Sequence, residues 1–408
     1  MKKIVVTGMG AVTPVGIGVE NYWNNITAGA SGIDTIKTFD PSELAVQIAG
    51  EVKDFNPSDY LPKDLIRKTD PFMQYAYIAA EEAMKQSAIK IEPERTGIVM
   101  GTAMAGIATI AYTQEALTGA SHKKVGPRFI PKILGNIAAA NIAIDYNIQG
   151  PSFTVSTACS SGGDAINTAC MCMQSGKADI MLAVGAESVL CPLVIYSLAN
   201  AKALSRRNDS PSTASRPFDV TRDGFVIGEG GGALVLETEE HALARGAKIY
   251  AEIRGCGNTD DAYHVTAPHP EGRGAIACMK QAIAEAEINP SDIGYINAHG
   301  TATNKGDTVE TSSIKKVFGN TLPYVSSTKG ATGHMMGAGG ITETITCVKA
   351  IETGTVPPTI NLNEVDPECA GIDFVANTAK KAEINFAMSN AFGFGGQNSS
   401  IIVGKYGK

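Results

Sequence analysis

Hydrophobic and polar positions follow two periods along this chain, and together they predict an α/β protein. Short apolar or β-branched runs such as Lys3–Thr7 and Ala178–Gly185 indicate strands. Longer segments with apolar residues three and four positions apart indicate helices, as in Gly339–Ile351. The alternation of strands and helices repeats in the second part of the chain. We therefore expect two related α/β halves, residues 1–250 and 251–408, that face each other with a site at their junction.

The segment Phe153–Gly163, FTVSTACSSGG, is the point where one predicted strand becomes a helix. Cys159 lies at this junction, where unpaired N–H groups and the partial positive charge of a helix start favour a thiolate. The small residues after it are expected to leave room for a substrate to reach the sulfur. A small buried cysteine in an ordinary strand–turn–helix unit explains the same pattern, so this segment alone does not decide between the two interpretations.

Two histidines follow predicted strands in the second half of the chain. His299 lies in INAHGTATNKGD and His334 in SSTKGATGHMMGAGG, among small residues where a ring can reach a cavity. One loop histidine is more often structural, but two at strand ends together with Cys159 indicate acyl transfer through a thioester. The eight cysteines form no CxxC or clustered CxxH pattern, so we expect neither a metal site nor a disulfide framework.

Composition narrows the classes of partner and location. The chain has 408 residues, of which 44% are hydrophobic and 18% charged, and its net charge is −7. With no long basic run, nucleic acid is not expected as a partner. No apolar stretch approaches the ~18 residues that a membrane span needs, and the chain starts on a strand instead of a signal peptide. We expect a cytoplasmic protein with no membrane partner.

Seven motifs occur in one order from residue 3 to about residue 404. They are VTGMGAVTPVG, TACSSG, SRPFDVTRDGFVIGEGGGALVLE, AHGTAT, SSTKGATGH, VPPTINL and SNAFGFGGQN. With them the chain resembles the β-ketoacyl-acyl-carrier-protein synthases of the KAS I/II type, and DAYHVTAP at 261–268 favours the type II branch. The resemblance implies a thiolase-like fold of two pseudo-repeated α/β halves stacked as αβαβα, usually in a homodimer. We expect the dimer to form around the strand at about Pro151–Ala158, because a β-rich uncharged edge should be paired.

The resemblance also implies the roles of the reactive residues. Cys159 would take an acyl chain, with the backbone N–H groups of Cys159 and Phe394 as the oxyanion hole. His299 and His334 would serve decarboxylation of malonyl carrier protein and stabilise the enolate, more than they serve acyl loading. The carbanion would then attack the acyl thioester. Lys329 matches the family's active-site lysine and Glu343 the acid beside it, with electrostatic and structural roles; by themselves these two residues could be an ordinary buried ion pair.

Substrate contacts follow from the same resemblance. Thr301 and Thr303 would hydrogen-bond the pantetheine arm, Phe394 would gate the acyl site, and Met104 would line a pocket shared across the dimer. No cofactor is expected, since the phosphopantetheine belongs to the acyl carrier protein. A structural monovalent cation, as some relatives hold, would lie near five residues: Asn297, Ala298, Glu343, Ser389 and Asn390.

An acidic carrier protein would need a basic surface on this acidic chain. The candidate residues are Lys63, Arg67 and Lys68; Lys123, Lys124 and Arg128; and Lys202, Arg206 and Arg207. The third group matches the docking rim of the family and is favoured. Each group by itself is more often simply a solvated surface.

Three alternative classes of protein share part of this pattern. A thiolase acting on coenzyme A esters would use a second cysteine, and a non-catalytic chain-length factor would lack Cys159. A condensing enzyme of polyketide or polyene biosynthesis, as a heterodimer with a chain-length factor, would have the same chemistry. The residues leave this last alternative open.

Overall fold

The computed structural model describes residues 2–118 and 125–408, which fold into alternating strands and helices. The strands are β1 (Ile4–Thr13), β2 (Gly16–Ile17), β3 (Asp34–Thr35), β4 (Ile48–Ala49), β5 (Thr96–Gly101), β6 (Ser152–Val155), β7 (Ile180–Glu187), β8 (Gly230–Thr238), β9 (Ala251–Asp260), β10 (Ile293–Asn297), β11 (Tyr324–Ser326), β12 (Thr355–Val356), β13 (Lys380–Lys381), β14 (Phe386–Phe392) and β15 (Gln397–Gly404). The helices are α1 (Val19–Thr27), α2 (Lys63–Lys68), α3 (Pro71–Ser87), α4 (Ile107–Thr118), α5 (Phe129–Ile133), α6 (Asn136–Tyr146), α7 (Ser161–Gln174), α8 (Pro192–Asn200), α9 (Glu239–Ala244), α10 (Arg273–Ala286), α11 (Asn304–Phe318), α12 (Lys329–Thr332) and α13 (Gly339–Thr353).

The main sheet has the strand order β11-β10-β14-β15-β9-β1-β8-β7-β5-β6. The antiparallel pair β1–β9 lies at its centre. From this pair outward, each side continues with two antiparallel pairings and then two parallel ones. This repeat confirms the α/β class with two related halves. The division at residue 250 falls just before β9 and stays a prediction, because both sets of strands share one sheet.

Helices α7 and α13 lie between the two halves and contact each other almost backbone to backbone. Every residue from Gly339 to Ile351 is buried. A Cβ atom on Gly162 would lie 2.8 Å from the carbonyl oxygen of Gly337, and one on Gly340 would lie 2.3 Å from the amide nitrogen of Gly163. The expectation that the small residues after Cys159 give a substrate access to the sulfur is therefore wrong. They are buried, and they allow the two central helices to approach.

Helices α2 and α3 follow each other closely in the chain, with a short break between them. The break lies at Asp70, whose side chain accepts a hydrogen bond from the amide of Phe72 at 3.1 Å, with Pro71 as the first residue of α3. Proline suits a first helical position because its missing N–H would be unpaired there anyway. Within residues 2–118 and 125–408, no helix combines the length and the apolar character needed to cross a membrane.

We predict that Gly340→Ala destabilises the protein because the new methyl group cannot fit between the central helices. The cost should be on the order of 1–3 kcal/mol, since the neighbouring atoms are backbone and cannot rotate away. The measurement is the midpoint of urea unfolding. Gly126→Ala is the matched control, because a Cβ at Gly126 meets nothing within 4 Å. Equal midpoints for the two variants would contradict this account of the helix contact.

Candidate active site

Cys159 lies in a 3₁₀ turn, Ala158–Ser160, that joins β6 to α7. Its side chain is 8% exposed. Ala158, which precedes it, has a φ of 50°, a left-handed conformation that turns the chain sharply at this point. The predicted position at the junction of strand and helix is confirmed, with the sulfur directed into the protein.

His334 follows α12 and contacts Cys159 directly, with 2.9 Å between His334 Nε2 and Cys159 Sγ. Its backbone is fixed on both sides. The His334 amide donates to the Val226 carbonyl at 2.7 Å, and the Gly228 amide donates to the His334 carbonyl at 2.9 Å. The ring of Phe225 lies edge-on at 5.4 Å between ring centroids. The imidazole is thus held against the thiol by a segment of the first half of the chain.

His299 follows β10 and completes the group of three. Its ring centroid is 5.3 Å from that of His334, at an interplanar angle of 85°. One donor atom each of Cys159, His299 and His334 lie within 4.8 Å of one another. The three predicted reactive residues, distant in sequence, therefore meet at one point between the two halves.

Lys329 and Glu343 form a buried ion pair beside the histidines. Burial lowers the pKa of both His299 and His334 well below the ordinary value, and the charge of Lys329 lowers it further. Both imidazoles are therefore neutral at physiological pH, so each offers one donor and one acceptor nitrogen. The contact between Lys329 and Glu343 is as expected, and their electrostatic role stays a prediction.

Burial also controls the cysteine. It raises the pKa of the Cys159 thiol to about 11, although the backbone N–H of Phe394 and the charge of Lys329 act in the opposite direction. The expectation that the helix start alone favours a thiolate is therefore wrong, because loss of water outweighs it. The thiol needs a base, and His334 is in contact with it.

The turn between β14 and β15 brings the backbone of Phe394 to the thiol. A Cβ on Gly393 would lie 2.7 Å from the Thr157 carbonyl oxygen, so only a residue without a side chain allows this approach. Gly395 has a φ of 95°, which also favours glycine. The amide of Phe394 reaches the sulfur, while its ring is 40% exposed at the surface. This geometry suits the oxyanion and gate roles expected for Phe394.

The expected substrate residues lie in two places relative to the reactive group, Thr301 and Thr303 shortly after His299 in the chain and Met104 beside Cys159. Thr301 and Thr303 are joined by a hydrogen bond of 3.0 Å between their hydroxyl groups. Met104 is half-buried and packs in the hydrophobic cluster that also contains Cys159. Their roles towards substrate stay predictions.

Of the residues expected near a monovalent cation, Asn297 and Ser389 are register partners on the neighbouring strands β10 and β14, and Glu343 lies on helix α13. The Oδ1 atom of Asn297 is buried and has no hydrogen-bond partner among the described residues, which fits an oxygen ligand. The side-chain oxygen of Asn390 accepts from Ser400 at 2.7 Å instead, and a carboxylate oxygen of Glu343 contacts Lys329. The set therefore fits a cation only in part.

Buried carboxylates that the motifs did not identify hold the loops of the site. Glu310 accepts the amides of His299 and Gly300 at 2.8 and 2.7 Å. Glu187 accepts the amides of Met104 and Gly337 at 3.0 and 3.1 Å. In the sequence, Glu187 is a lone acid at the end of a buried strand, and this is the one feature that could have identified it. No sequence pattern marks Glu310.

The basic candidates differ in their freedom to bind a partner. Lys63, Arg67, Arg128, Lys202 and Arg206 are exposed, Lys68 and Arg207 are half-buried, and Lys123 and Lys124 lie outside the described residues. The guanidinium of Arg207 donates to the Thr221 carbonyl at 2.7 Å and lies 3.7 Å from Asp223. Next to Lys202, Ala203 pairs with Phe225, so this segment adjoins the residue that packs on His334.

Two related α/β halves, with a cysteine from one and two histidines from the other, define a thiolase-like enzyme. The family model "Beta-ketoacyl synthase, N-terminal domain" matches residues 1–242, and "Beta-ketoacyl synthase, C-terminal domain" matches residues 250–363. The chain belongs to the β-ketoacyl synthase family.

Individual relatives agree with this family. A protein of Coxiella burnetii named 3-oxoacyl-[acyl-carrier-protein] synthase 2 is 43% identical over 409 residues, which are 99% of each chain. The ishigamide ketosynthase/chain length factor has a TM-score of 0.93 at 33% identity and full coverage of both chains. A type II PKS acyl-carrier protein in complex with its ketosynthase bound to the hexaketide (AntDE:AntF, apo) has a TM-score of 0.90 at 33% identity, covering 99% of both chains. These neighbours confirm the thiolase-like fold.

We predict that alkylation of Cys159 by iodoacetamide accelerates about tenfold per pH unit between about pH 7 and pH 9, because the thiolate fraction rises with pH below a pKa of about 11. The rate is measured by mass spectrometry on the peptide that contains Cys159, and Cys159→Ala serves as the blank. A plateau near neutral pH would mean that the helix start keeps the sulfur ionised after all.

Proposed function

We propose that this protein catalyses the decarboxylative Claisen condensation of malonyl-acyl-carrier protein with an acyl chain bound to Cys159. The product is a β-ketoacyl-acyl-carrier protein two carbons longer. The observation that carries the proposal is the contact of Cys159 Sγ with a neutral His334, next to His299 and beneath the amide of Phe394.

The first step transfers the acyl chain from a phosphopantetheine thioester to the sulfur. His334 takes the thiol proton, because its Nε2 is 2.9 Å away and the thiol is not ionised by itself. The sulfur attacks the carbonyl carbon, and the pantetheine thiol leaves with a proton. The amides of Cys159 and Phe394 donate to the oxyanion that forms in between.

The second step removes carbon dioxide from the malonyl group. Neutral His299 and His334 donate hydrogen bonds to the thioester oxygen, which becomes the enolate oxygen as carbon dioxide leaves. The carbanion attacks the acyl thioester, the new carbon–carbon bond forms, and the sulfur of Cys159 leaves as a thiolate that takes up one proton from solvent to restore the thiol. Burial, and after it the charge of Lys329, keeps both imidazoles neutral, which donation without proton transfer requires.

We further propose fatty-acid elongation as the pathway. The support is the 43% identity to a 3-oxoacyl-[acyl-carrier-protein] synthase 2, against 33% to the two ketosynthases of the structural comparison. Polyketide or polyene synthesis uses the same chemistry, and the mass spectrum of the carrier-protein products separates the two. Incubation with malonyl carrier protein and acyl primers of graded length should give products one extension unit longer. Several successive unreduced extensions on one primer would favour the polyketide alternative.

The carrier protein is proposed to dock on the exposed basic residues Lys202 and Arg206, with Lys63 and Arg67 as a second group. The support is their exposure and, for the first group, its connection through Ala203 and Phe225 to His334. Arg207 contributes less, because its guanidinium is already bound within the chain. A cytoplasmic location and the absence of a nucleic-acid partner stay predictions.

We predict that replacing His299 and replacing His334 affect the two half-reactions differently. His299→Ala should still load an acyl group on Cys159 but lose about 100- to 1000-fold in release of carbon dioxide, the usual cost of one lost oxyanion donor. His334→Ala should lose both, since the thiol then has no base in contact. Intact mass measures the acyl adduct, and trapped carbon dioxide measures decarboxylation.

Cys159→Ala sets the zero for loading in the same experiment. An acyl adduct on that variant would exclude Cys159 as the nucleophile. Normal decarboxylation by His299→Ala with poor loading would reverse the roles of the two histidines.

The proposed homodimer would bury the outer edge of β6. This strand ends the sheet, and its other side pairs with no strand of the described chain. Phe153 is 47% exposed there, and the buried hydroxyl of Thr154 has no partner among the described residues. An open apolar edge of this kind is a site for pairing with a second chain.

We predict a dimer by light scattering at micromolar concentration. Phe153→Lys should shift it towards monomer, because a charge would then be buried at the interface. The control is Leu243→Lys, which should leave the dimer intact. Leu243 is exposed on α9, and this helix follows β8, which is not next to β6 in the sheet. A monomeric wild-type chain that becomes a heterodimer with a chain-length factor would support the polyketide alternative.

A further inference from the structure

We propose that Cys159, His299 and His334 form a binding site for one thiophilic divalent cation, such as Zn²⁺, whenever the cysteine carries no acyl chain. The cation would inhibit the enzyme by occupying the nucleophile. This inhibition depends on the proposed function, whereas the binding itself does not.

The geometry of the three side chains matches a metal site with one open position. Cysteine sulfur and imidazole nitrogen are the ligands that Zn²⁺ prefers, at about 2.3 Å and 2.0–2.1 Å, which places ligands about 3.3–3.7 Å apart. The three donor atoms lie within 4.8 Å of one another, and the shortest distance, from Cys159 Sγ to His334 Nε2, is 2.9 Å. To reach tetrahedral spacing, the sulfur and the His334 nitrogen would separate by roughly half an ångström, and any pair near the 4.8 Å limit would close by about 1 Å, which rotation of the side chains can supply; water would take the fourth position.

The surroundings of the three side chains allow a cation to bind. The ammonium group of Lys329, beside the site, is paired with Glu343, so the pair as a whole carries no net charge that would repel a cation. The Nδ1 atoms of His299 and His334 are buried and have no hydrogen-bond partner among the described residues, so these ring nitrogens are not committed to other groups of the protein.

Binding exchanges a proton for the metal. The S–H bond of Cys159 breaks, the sulfur electron pair forms a bond to the cation, and the proton leaves to solvent. Each histidine donates the lone pair of one ring nitrogen, and no electron is transferred. An acylated sulfur has no proton to release and its carbonyl occupies the cavity, so the acyl-enzyme should be protected.

The test is titration of the purified, reduced enzyme with Co²⁺ and Zn²⁺. We expect one equivalent of Co²⁺ to bind tightly. It should produce the intense visible bands of a tetrahedral site together with a thiolate-to-cobalt charge-transfer band. Zn²⁺ should displace Co²⁺, abolish this spectrum and block acyl loading of Cys159. EDTA should reverse the inhibition.

Controls separate this site from the other cysteines. Cys159→Ser and His299→Asn should weaken Co²⁺ binding by at least about 100-fold, since each removes a direct ligand and even indirect contacts are worth 10- to 100-fold. Cys172→Ser should change nothing, because Cys172 has the same 8% exposure as Cys159 but belongs to no such Cys–His group in the described chain. Wild-type enzyme alkylated at Cys159 should lose Co²⁺ binding as Cys159→Ser does. It provides this control without a mutation that could affect folding.

The outcomes distinguish the two proposals. A wild-type enzyme that loads acyl chains but shows no charge-transfer band, or a band that persists in Cys159→Ser, overturns the metal site and leaves the condensation intact. A cobalt spectrum that depends on Cys159 in an enzyme that never accepts an acyl chain supports the site and contradicts the proposed function.

Discussion

The close contact between α7 and α13 is the constraint on which the site depends. Cys159 precedes α7, and His334 lies five residues before α13, so the distance between sulfur and imidazole follows from how near the two helices come. Glycines at positions 162, 163 and 340 leave no Cβ where the helices come closest, and Gly185 on β7 extends the contact, because a Cβ there would lie 2.7 Å from the Gly337 carbonyl. Backbone atoms then set the separation, and backbone positions are far less adaptable than side chains.

Burial is the second constraint, and it acts on all ionisable groups of the site at once. The loss of water raises the pKa of the thiol and lowers that of both histidines, so the resting site is an uncharged donor and acceptor set. The one full positive charge, on Lys329, is neutralised by Glu343, as a buried ion must be. An enolate or a tetrahedral oxyanion formed in such a place is stabilised by fixed dipoles that need no reorganisation.

Sequence patterns predicted those parts that depend on local order. The helix α13, the strand β7 and the placement of His299 after a strand follow from periodicity and turn residues, whereas α12 lies between β11 and His334 and was not predicted. Two expectations about the neighbourhood of Cys159 were wrong for one reason. The role of the small residues after Cys159 and the ionisation of its thiol both depend on what packs against α7, and α13 follows His334, which lies 175 positions after Cys159 in the chain. Local patterns carry no information on such burial.

The buried acids Glu310 and Glu187 show the same limit of prediction from sequence. Glu310 and Glu187 touch neither each other nor the sulfur, yet each accepts backbone N–H groups of a loop that bears a site residue. A loop has few internal restraints, so an acceptor on a neighbouring helix or strand is what fixes its position. Burying a carboxylate for this purpose is costly unless amides satisfy it, and here burial raises the pKa of Glu310 to about 7 against the hydrogen bonds from His299 and Gly300. Burying these carboxylates therefore costs the protein some stability. In return, the loops that they bind hold their reactive side chains within hydrogen-bond distance of one another.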